Sequence, residues 1–212
     1  MVFPTTEAEI LIAEQRYPQF PYEIDKAIPE VVHRYFAAAL GFIAILLVAF
    51  SFKHKLPTRI KAIASFLLFF ICCQGLFGYL TVSLKLLPII VTGHLFGGFI
   101  TLSLFFYLFL NTSDSIKNHQ IGHLKILGGI ALFALLIQIF LGAWTSTNYA
   151  SLACVDFPTC QGTYVPEMNF SDGFNLSQEV GQNYLYGLLY NEARVAINYY
   201  HSVSALILTL IF

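Results

Sequence analysis

Three histidines, His33, His94 and His201, lie at similar depth in three separate apolar segments of the sequence. An imidazole in hydrocarbon is costly and usually has a function. Imidazoles at matching depth on neighbouring helices are what a haem requires as axial ligands. A single intramembrane histidine more often packs through a hydrogen bond, so the shared depth of the three is what favours haem ligation.

Two charged residues accompany the first of these histidines. Glu30 precedes His33 by one helical turn, so both side chains lie on one face, where a carboxylate could take protons from a substrate bound at the metal. The alternative is that Glu30, next to Pro29, favours a helix N-terminus and faces water. Arg34 could pair with a haem propionate; the alternative is that it reaches lipid phosphate.

Glycines surround the second histidine. Gly93 precedes His94, and Gly97 and Gly98 follow it on the same helix. Small residues let another helix or a flat macrocycle approach closely, and helix packing is the default explanation. Only the depth of His94 favours a cofactor.

The four cysteines form two pairs. Cys72 and Cys73 lie inside an apolar segment, where thiols behave as small hydrophobes. Cys154 and Cys160 lie in a polar loop, and their separation in an oxidising compartment favours a disulfide. A metal site or a redox pair are the alternatives, although neither histidines nor a Cys-x-x-Cys spacing lie nearby.

Composition indicates the elements that must position these residues. The 212 residues are 57% hydrophobic and 11% charged, which is typical of a membrane protein. A bilayer of about 30 Å is crossed by roughly 20 helical residues. We predict four such spans and a fifth that begins near Val195: Val31 to Phe52, Ala62 to Leu84, Ile89 to Leu110, and Ile126 to Thr147.

The distribution of lysines and arginines predicts the orientation. Basic residues cluster between the first and second spans and between the third and fourth, where the latter loop also contains His119 and His123. The positive-inside rule places both loops in the cytoplasm and the N-terminus outside. All three span histidines then lie within about 10 Å of the outer boundary.

Two segments suggest an internal duplication. Gln74 to Thr81 and Gln138 to Thr145 share Gln, Gly and Thr at the same offsets, which suggests a bundle of similar halves. The apolar run that ends at Phe212 has no flanking charge, so we expect a truncated chain. The net charge of −1 and the lack of a basic run argue against nucleic-acid binding.

These residues resemble the haem A synthase family, the cytochrome oxidase assembly proteins of bacteria and mitochondria. The resemblance is carried by four segments, of which the last is the most specific: Glu30-Val31-Val32-His33-Arg34, Gln74 to Pro88, Thr92-Gly93-His94-Leu95, and Gln138 to Gly162 with Leu141-Gly142-Ala143-Trp144-Thr145 and both outer cysteines.

The resemblance implies an all-α polytopic membrane bundle of eight helices in two pseudo-symmetric four-helix halves, of which this chain contains five helices. It implies three regions: an extracytoplasmic segment 1–29, a first half 30–122 with the substrate haem, and a partial second half 123–212 with a haem b cofactor and an outer loop 148–194. It also implies a disulfide between Cys154 and Cys160.

The resemblance also implies roles for the site residues. His33 and His94 would flank the substrate haem with Arg34 beside it, Glu30 would be catalytic, and His201 would ligate the iron of haem b, its partner histidine being absent. Ser202 stands where many members have arginine, which puts a propionate contact there in doubt.

The implied activity is that of an oxidoreductase that converts the methyl group of haem O to the formyl group of haem A. Haem O is then the substrate, haem O synthase and cytochrome oxidase assembly factors are candidate partners, and the electron acceptor stays open. The implied location is a bacterial plasma membrane or a mitochondrial inner membrane. The alternatives are a non-catalytic dihaem electron-transfer protein of the cytochrome b type and a structural membrane subunit.

Overall fold

The computed structural model describes residue 4 and residues 6–18, 22–112 and 124–211. The described chain is all-helical, as predicted, with one isolated β-bridge between Cys160 and Thr163. Its helices are α1 (Glu7–Arg16), α2 (Ile24–Lys53), α3 (Thr58–Ser83), α4 (Pro88–Thr112), α5 (Leu124–Thr147), α6 (Phe170–Gly173) and α7 (Asn191–Ile211).

Four of these helices are long and apolar enough to cross a membrane: α2, α3, α4 and the Lys125–Thr147 part of α5. Only 11% to 17% of the most apolar stretch of each is buried inside the protein. Large side chains such as Phe69, Leu102 and Phe133 are therefore exposed. Because water disfavours so much apolar surface, these faces suit lipid, and the predicted polytopic membrane helix bundle is confirmed.

Helix α2 begins earlier than predicted. It starts at Ile24 and continues through Pro29, whereas the apolar pattern predicts a start at Val31. Asp25 in the first turn suits the positive end of the helix, and the polar residues before Val31 extend the helix rather than ending it. Glu30 therefore lies inside α2 and not at its N-terminus.

Helix α7 corresponds to the predicted fifth span. It begins at Asn191, and the outer loop is correspondingly shorter than the predicted 148–194. Its first turns carry Glu192, Arg194 and Asn198, and it is not among the four helices that meet the length and composition of a span. The predicted cytoplasmic loop with Lys117, His119 and His123 lies outside the described residues.

The chain divides into two compact units, Met1–Cys72 and Cys73–Phe212, and the division falls inside α3. In the first unit, α2 and α3 meet at Gly41, where an added Cβ would lie 3.8 Å from Cγ2 of Ile71. The predicted regions 1–29, 30–122 and 123–212 describe a repeat along the sequence, and they stay a prediction.

In the second unit, α5 packs against α4 and α7, and α6 packs against α7. Trp144 is fully buried and donates a hydrogen bond from Nε1 to the carbonyl of Gly173 at 2.8 Å. Asn198 of α7 donates from Nδ2 to the carbonyls of Ala150 and Ser151 at 2.9 and 3.0 Å. These bonds hold the outer loop against α5 and α7.

The short connection from Lys85 to Pro88 between two spans predicts a tight turn, and the structure has one between α3 and α4. Lys85 and Leu86 have φ of 52° and 63°, and the amide of Leu86 donates to the carbonyl of Thr81 at 2.8 Å. The outer loop packs here as well: the Tyr184 amide donates to the Lys85 carbonyl at 3.0 Å, and Lys85 Nζ donates to the Gly181 carbonyl at 3.1 Å.

The contact between α6 and α7 predicts that a methyl group added at Gly173 destabilises the protein. A Cβ on Gly173 would lie 2.7 Å from the carbonyl oxygen of Ala193, and a backbone atom cannot rotate away. We expect Gly173→Ala to lower the free energy of unfolding by about 1–3 kcal/mol, measured by thermal unfolding in detergent. The control is Gly128→Ala, since a Cβ there meets nothing within 4 Å. Equal melting temperatures for the two variants would contradict the packing described here.

Candidate haem-binding site

His94 lies against the backbone of α3. It is half-buried on α4, and a Cβ built on Gly78 would lie 3.3 Å from its Cε1 and 3.6 Å from its Nε2. On the other side of the contact, a Cβ on Gly93 would lie 3.3 Å from Cε1 of Phe77. These separations are tighter than ordinary packing, so glycine at 78 and 93 is what permits the close approach of α3 and α4.

His201 lies against α5 in the same way. It is half-buried on α7, and a Cβ built on Gly142 would lie 3.2 Å from its Cε1 and 3.8 Å from its Nε2. Its imidazole therefore also faces bare helix backbone on the side of Cε1 and Nε2.

The two contacts use equivalent positions of the repeat. Gly78 and Gly142 are the shared glycines of Gln74 to Thr81 and Gln138 to Thr145. The shared threonines act alike too, since the hydroxyl of each donates to a main-chain carbonyl of its own helix: Thr81 to Gly78 and Thr145 to Leu141, both at 2.7 Å. The sequence repeat pointed to these glycines, but sequence reasoning missed that each faces a histidine.

The shared glutamines differ between the two contacts. Nε2 of Gln138 lies 3.0 Å from Nδ1 of His201, and Ser204 Oγ donates to Oε1 of the same amide. The Gln74 side chain instead fills the space over Gly97, and its buried Oε1 has no hydrogen-bond partner among the described residues.

Glu30, His33 and Arg34 all lie on α2 in the first unit, and all three are exposed. Arg34 forms an ion pair with Glu30, one turn before it. In this structure the guanidinium is therefore engaged with a carboxylate of its own helix, which neither sequence interpretation of Arg34 foresaw. Because His33 and His94 belong to different units, their pairing across a substrate stays a prediction.

The outer loop contains the cysteine pair. Cys154 and Cys160 form a disulfide, and Cys72 and Cys73 are free thiols. The side chain of Asp156 accepts hydrogen bonds from the Thr159 hydroxyl and from the amides of Gly162 and Gln161. These bonds, that of Thr159 foremost, lower the pKa of the Asp156 carboxyl below its usual value of 3.8.

The donor set suits haem better than a bare ion. The described residues contain no group of three or more histidine, cysteine or acidic side chains that could hold a metal ion. A haem needs no such group, because the porphyrin supplies the equatorial ligands and the protein adds axial ones such as imidazole. The half-buried imidazoles of His94 and His201 are side chains of that type.

Comparison with known proteins decides the family. The sequence model of the COX15-CtaA family, described as cytochrome oxidase assembly protein, matches residues 1–212. The chain belongs to this family.

Two curated relatives agree with the assignment to the COX15-CtaA family. The chain is 35% identical over 207 residues to the heme A synthase of Shewanella oneidensis, a match that covers 96% of this chain and 62% of the relative. It is 31% identical over 150 residues to the heme A synthase of Shouchella clausii, which covers 66% and 48%. The chain thus spans about half to three fifths of these relatives, and no solved structure matches it.

The contacts of Gly78 with His94 and of Gly142 with His201 predict that alanine at either glycine shifts the neighbouring histidine ring. In Gly142→Ala the new Cβ must displace the His201 ring by a few tenths of an ångström, since 3.2 Å is too close for ordinary packing. We expect the ¹³Cε1 NMR signal of His201 to move in Gly142→Ala and to stay in place in Gly128→Ala.

The same experiment applies to the first contact, where Gly78→Ala should move the His94 signal. The matched control is Gly75→Ala, since a Cβ on Gly75 meets nothing within 4 Å. Unchanged histidine signals in Gly78→Ala and Gly142→Ala would show that the imidazoles do not lie against these glycines.

Proposed function

We propose that this chain is part of a haem A synthase, an oxidoreductase that converts the methyl group of haem O to the formyl group of haem A through a hydroxylated intermediate. The observation that carries the proposal is the repeated placement of an imidazole against bare glycine backbone, at Gly78 and at Gly142. Family membership and the name of both relatives support the same activity.

His201 is the residue that we assign to haem b, and His33 and His94 are those that we assign to the haem O substrate. When bound, haem b would relay electrons from the substrate to an acceptor. The tasks of this chain are then to fix the imidazole planes, to hold the macrocycle edge near the outer leaflet, and to exclude other orientations. The glycine contacts perform the first task, because a Cβ at either position would turn the ring.

Glu30 is the residue that we assign to proton handling. It lies one turn before His33 on α2 and forms an ion pair with Arg34. A carboxylate one turn from the ligand histidine is placed to accept the protons released as the methyl group is oxidised. Because both side chains are about half exposed, the pair itself adds little stability.

The setting follows from the same proposal. The chain would lie in the bacterial plasma membrane, or in the inner membrane of mitochondria, with its N-terminus and the disulfide loop outside. Haem O synthase and the cytochrome oxidase assembly factors are the expected partners, because they supply the substrate and consume the product.

We test the role of Glu30 in the complete gene expressed in membranes with a source of haem O. Glu30→Gln removes the proton acceptor but keeps the shape of the side chain, so we expect haem A to fall at least about a hundredfold, the low end for loss of general acid–base catalysis, while haem O persists. Haem extraction and chromatography give the measurement. The control is Glu14→Gln, an exposed residue of α1.

Two outcomes would contradict the proposal at different levels. Unchanged haem A in Glu30→Gln would remove Glu30 from the chemistry and leave the activity intact. Haem O without haem A in the unsubstituted protein would exclude the synthase and favour the electron-transfer alternative.

A further inference from the structure

Gln138 and Ser204 enclose the imidazole of His201 in a short hydrogen-bond network. Gln138 Nε2 lies 3.0 Å from Nδ1 of His201 and 3.4 Å from its carbonyl oxygen. Ser204 Oγ contacts Gln138 Oε1 and lies 2.9 Å from the same carbonyl oxygen. Every member of the network lies on α5 or α7, within the second unit.

The positions of the protons follow from the donor inventory. An amide nitrogen only donates, so Nδ1 of His201 accepts from Gln138, and the proton of a neutral imidazole then lies on Nε2. A protonated Nε2 offers no lone pair to iron. This orientation of the Gln138 amide therefore goes with the tautomer of His201 that cannot ligate a metal through Nε2.

Rotation of the Gln138 amide by half a turn favours the other tautomer of His201. Rotation about the Cγ–Cδ bond of Gln138 exchanges Oε1 and Nε2, so that Oε1 accepts a proton from Nδ1 and Nε2 donates to Ser204 Oγ. The Ser204 hydroxyl, which now has two acceptors for one proton, then donates to the His201 carbonyl alone. The Gln138 amide nitrogen loses its contact with the His201 carbonyl in this arrangement, and Nε2 of His201 has its lone pair available.

We propose that Gln138 is a positioning residue for His201: its amide rotates when haem binds, accepts the Nδ1 proton, and presents Nε2 to the iron. This inference rests on the proposed haem site at His201. A hydrogen-bond acceptor behind a ligand histidine fixes its tautomer and ring orientation and raises its basicity. Gln138 thus performs for this histidine the task that a carboxylate or a main-chain carbonyl performs at other metal sites.

The test uses the complete protein in detergent, stripped of haem and titrated with hemin. A background with both His33→Ala and His94→Ala removes the two histidines assigned to the substrate haem, so that binding at His201 is measured alone. We expect Gln138→Leu, which has no acceptor, to bind hemin about 10–100-fold more weakly and to shift the midpoint potential of the bound haem to a more positive value. Gln138→Glu keeps an acceptor and should retain the affinity, with a more negative potential because the imidazole donates more strongly to ferric iron.

A control substitution distinguishes a positioning role of Gln138 from a general effect of losing a half-buried glutamine. Gln178→Leu removes a glutamine that is hydrogen-bonded to Asn148 in the outer loop, and it should leave both affinity and potential unchanged. If Gln138→Leu fails to fold in a thermal unfolding test, the potential of Gln138→Glu decides. Opposite potential shifts for the two substitutions support the inference, and so does a negative shift in Gln138→Glu alone.

An unchanged potential in Gln138→Glu would overturn the role of Gln138. This failure differs from failure of the haem site: if His201→Ala, added to the background that lacks His33 and His94, leaves hemin binding as tight as in that background, the site itself is wrongly assigned and the inference falls with it.

Discussion

The contact between an imidazole and bare helix backbone is the constraint on which the rest of the second unit depends. At Gly142 and at Gly78 the helices approach so closely that one methyl group would collide with a histidine ring. Such an approach must be held by contacts elsewhere, since glycine itself adds no packing. The buried Trp144, two residues beyond Gly142, and Asn198, one turn before His201, supply these contacts. The outer loop is therefore part of the scaffold of the site.

The apolar faces of the spans suit lipid, and specific contacts within the protein lie elsewhere. Little of each of the four spans is buried inside the protein, because hydrocarbon solvates their apolar faces as well as another helix would. Specific contacts in the second unit are concentrated in the outer loop and at the helix ends that it touches. On the function proposed above, this arrangement suits a bundle that admits a large flat substrate, since few apolar contacts have to be broken to make room.

Much of the fold follows from the sequence, because span length and hydrophobicity are strong signals. The four spans, α7, the tight turn at Lys85 and the cysteine pair were all predictable from the sequence, whereas α1 and α6 were not. The start of α2 was not, because helix propensity before Pro29 prevailed over the change in polarity. The partner of Arg34 was also missed, because an ion pair within one helix competes with every more distant acceptor. The contacts of Gly78 with His94 and of Gly142 with His201 could not be predicted from the sequence. The repeat shows that the two glycines occupy equivalent positions, but it does not show which side chains lie close to them.

We propose that each of the two glycine contacts holds a haem ligand. The most direct measurement is the haem content and the iron electron paramagnetic resonance spectrum of the purified complete protein. The account predicts low-spin ferric haem, one population of which disappears in His94→Ala and a different one in His201→Ala. A protein that purifies without a Soret band, or that retains its haem in both variants, would contradict it.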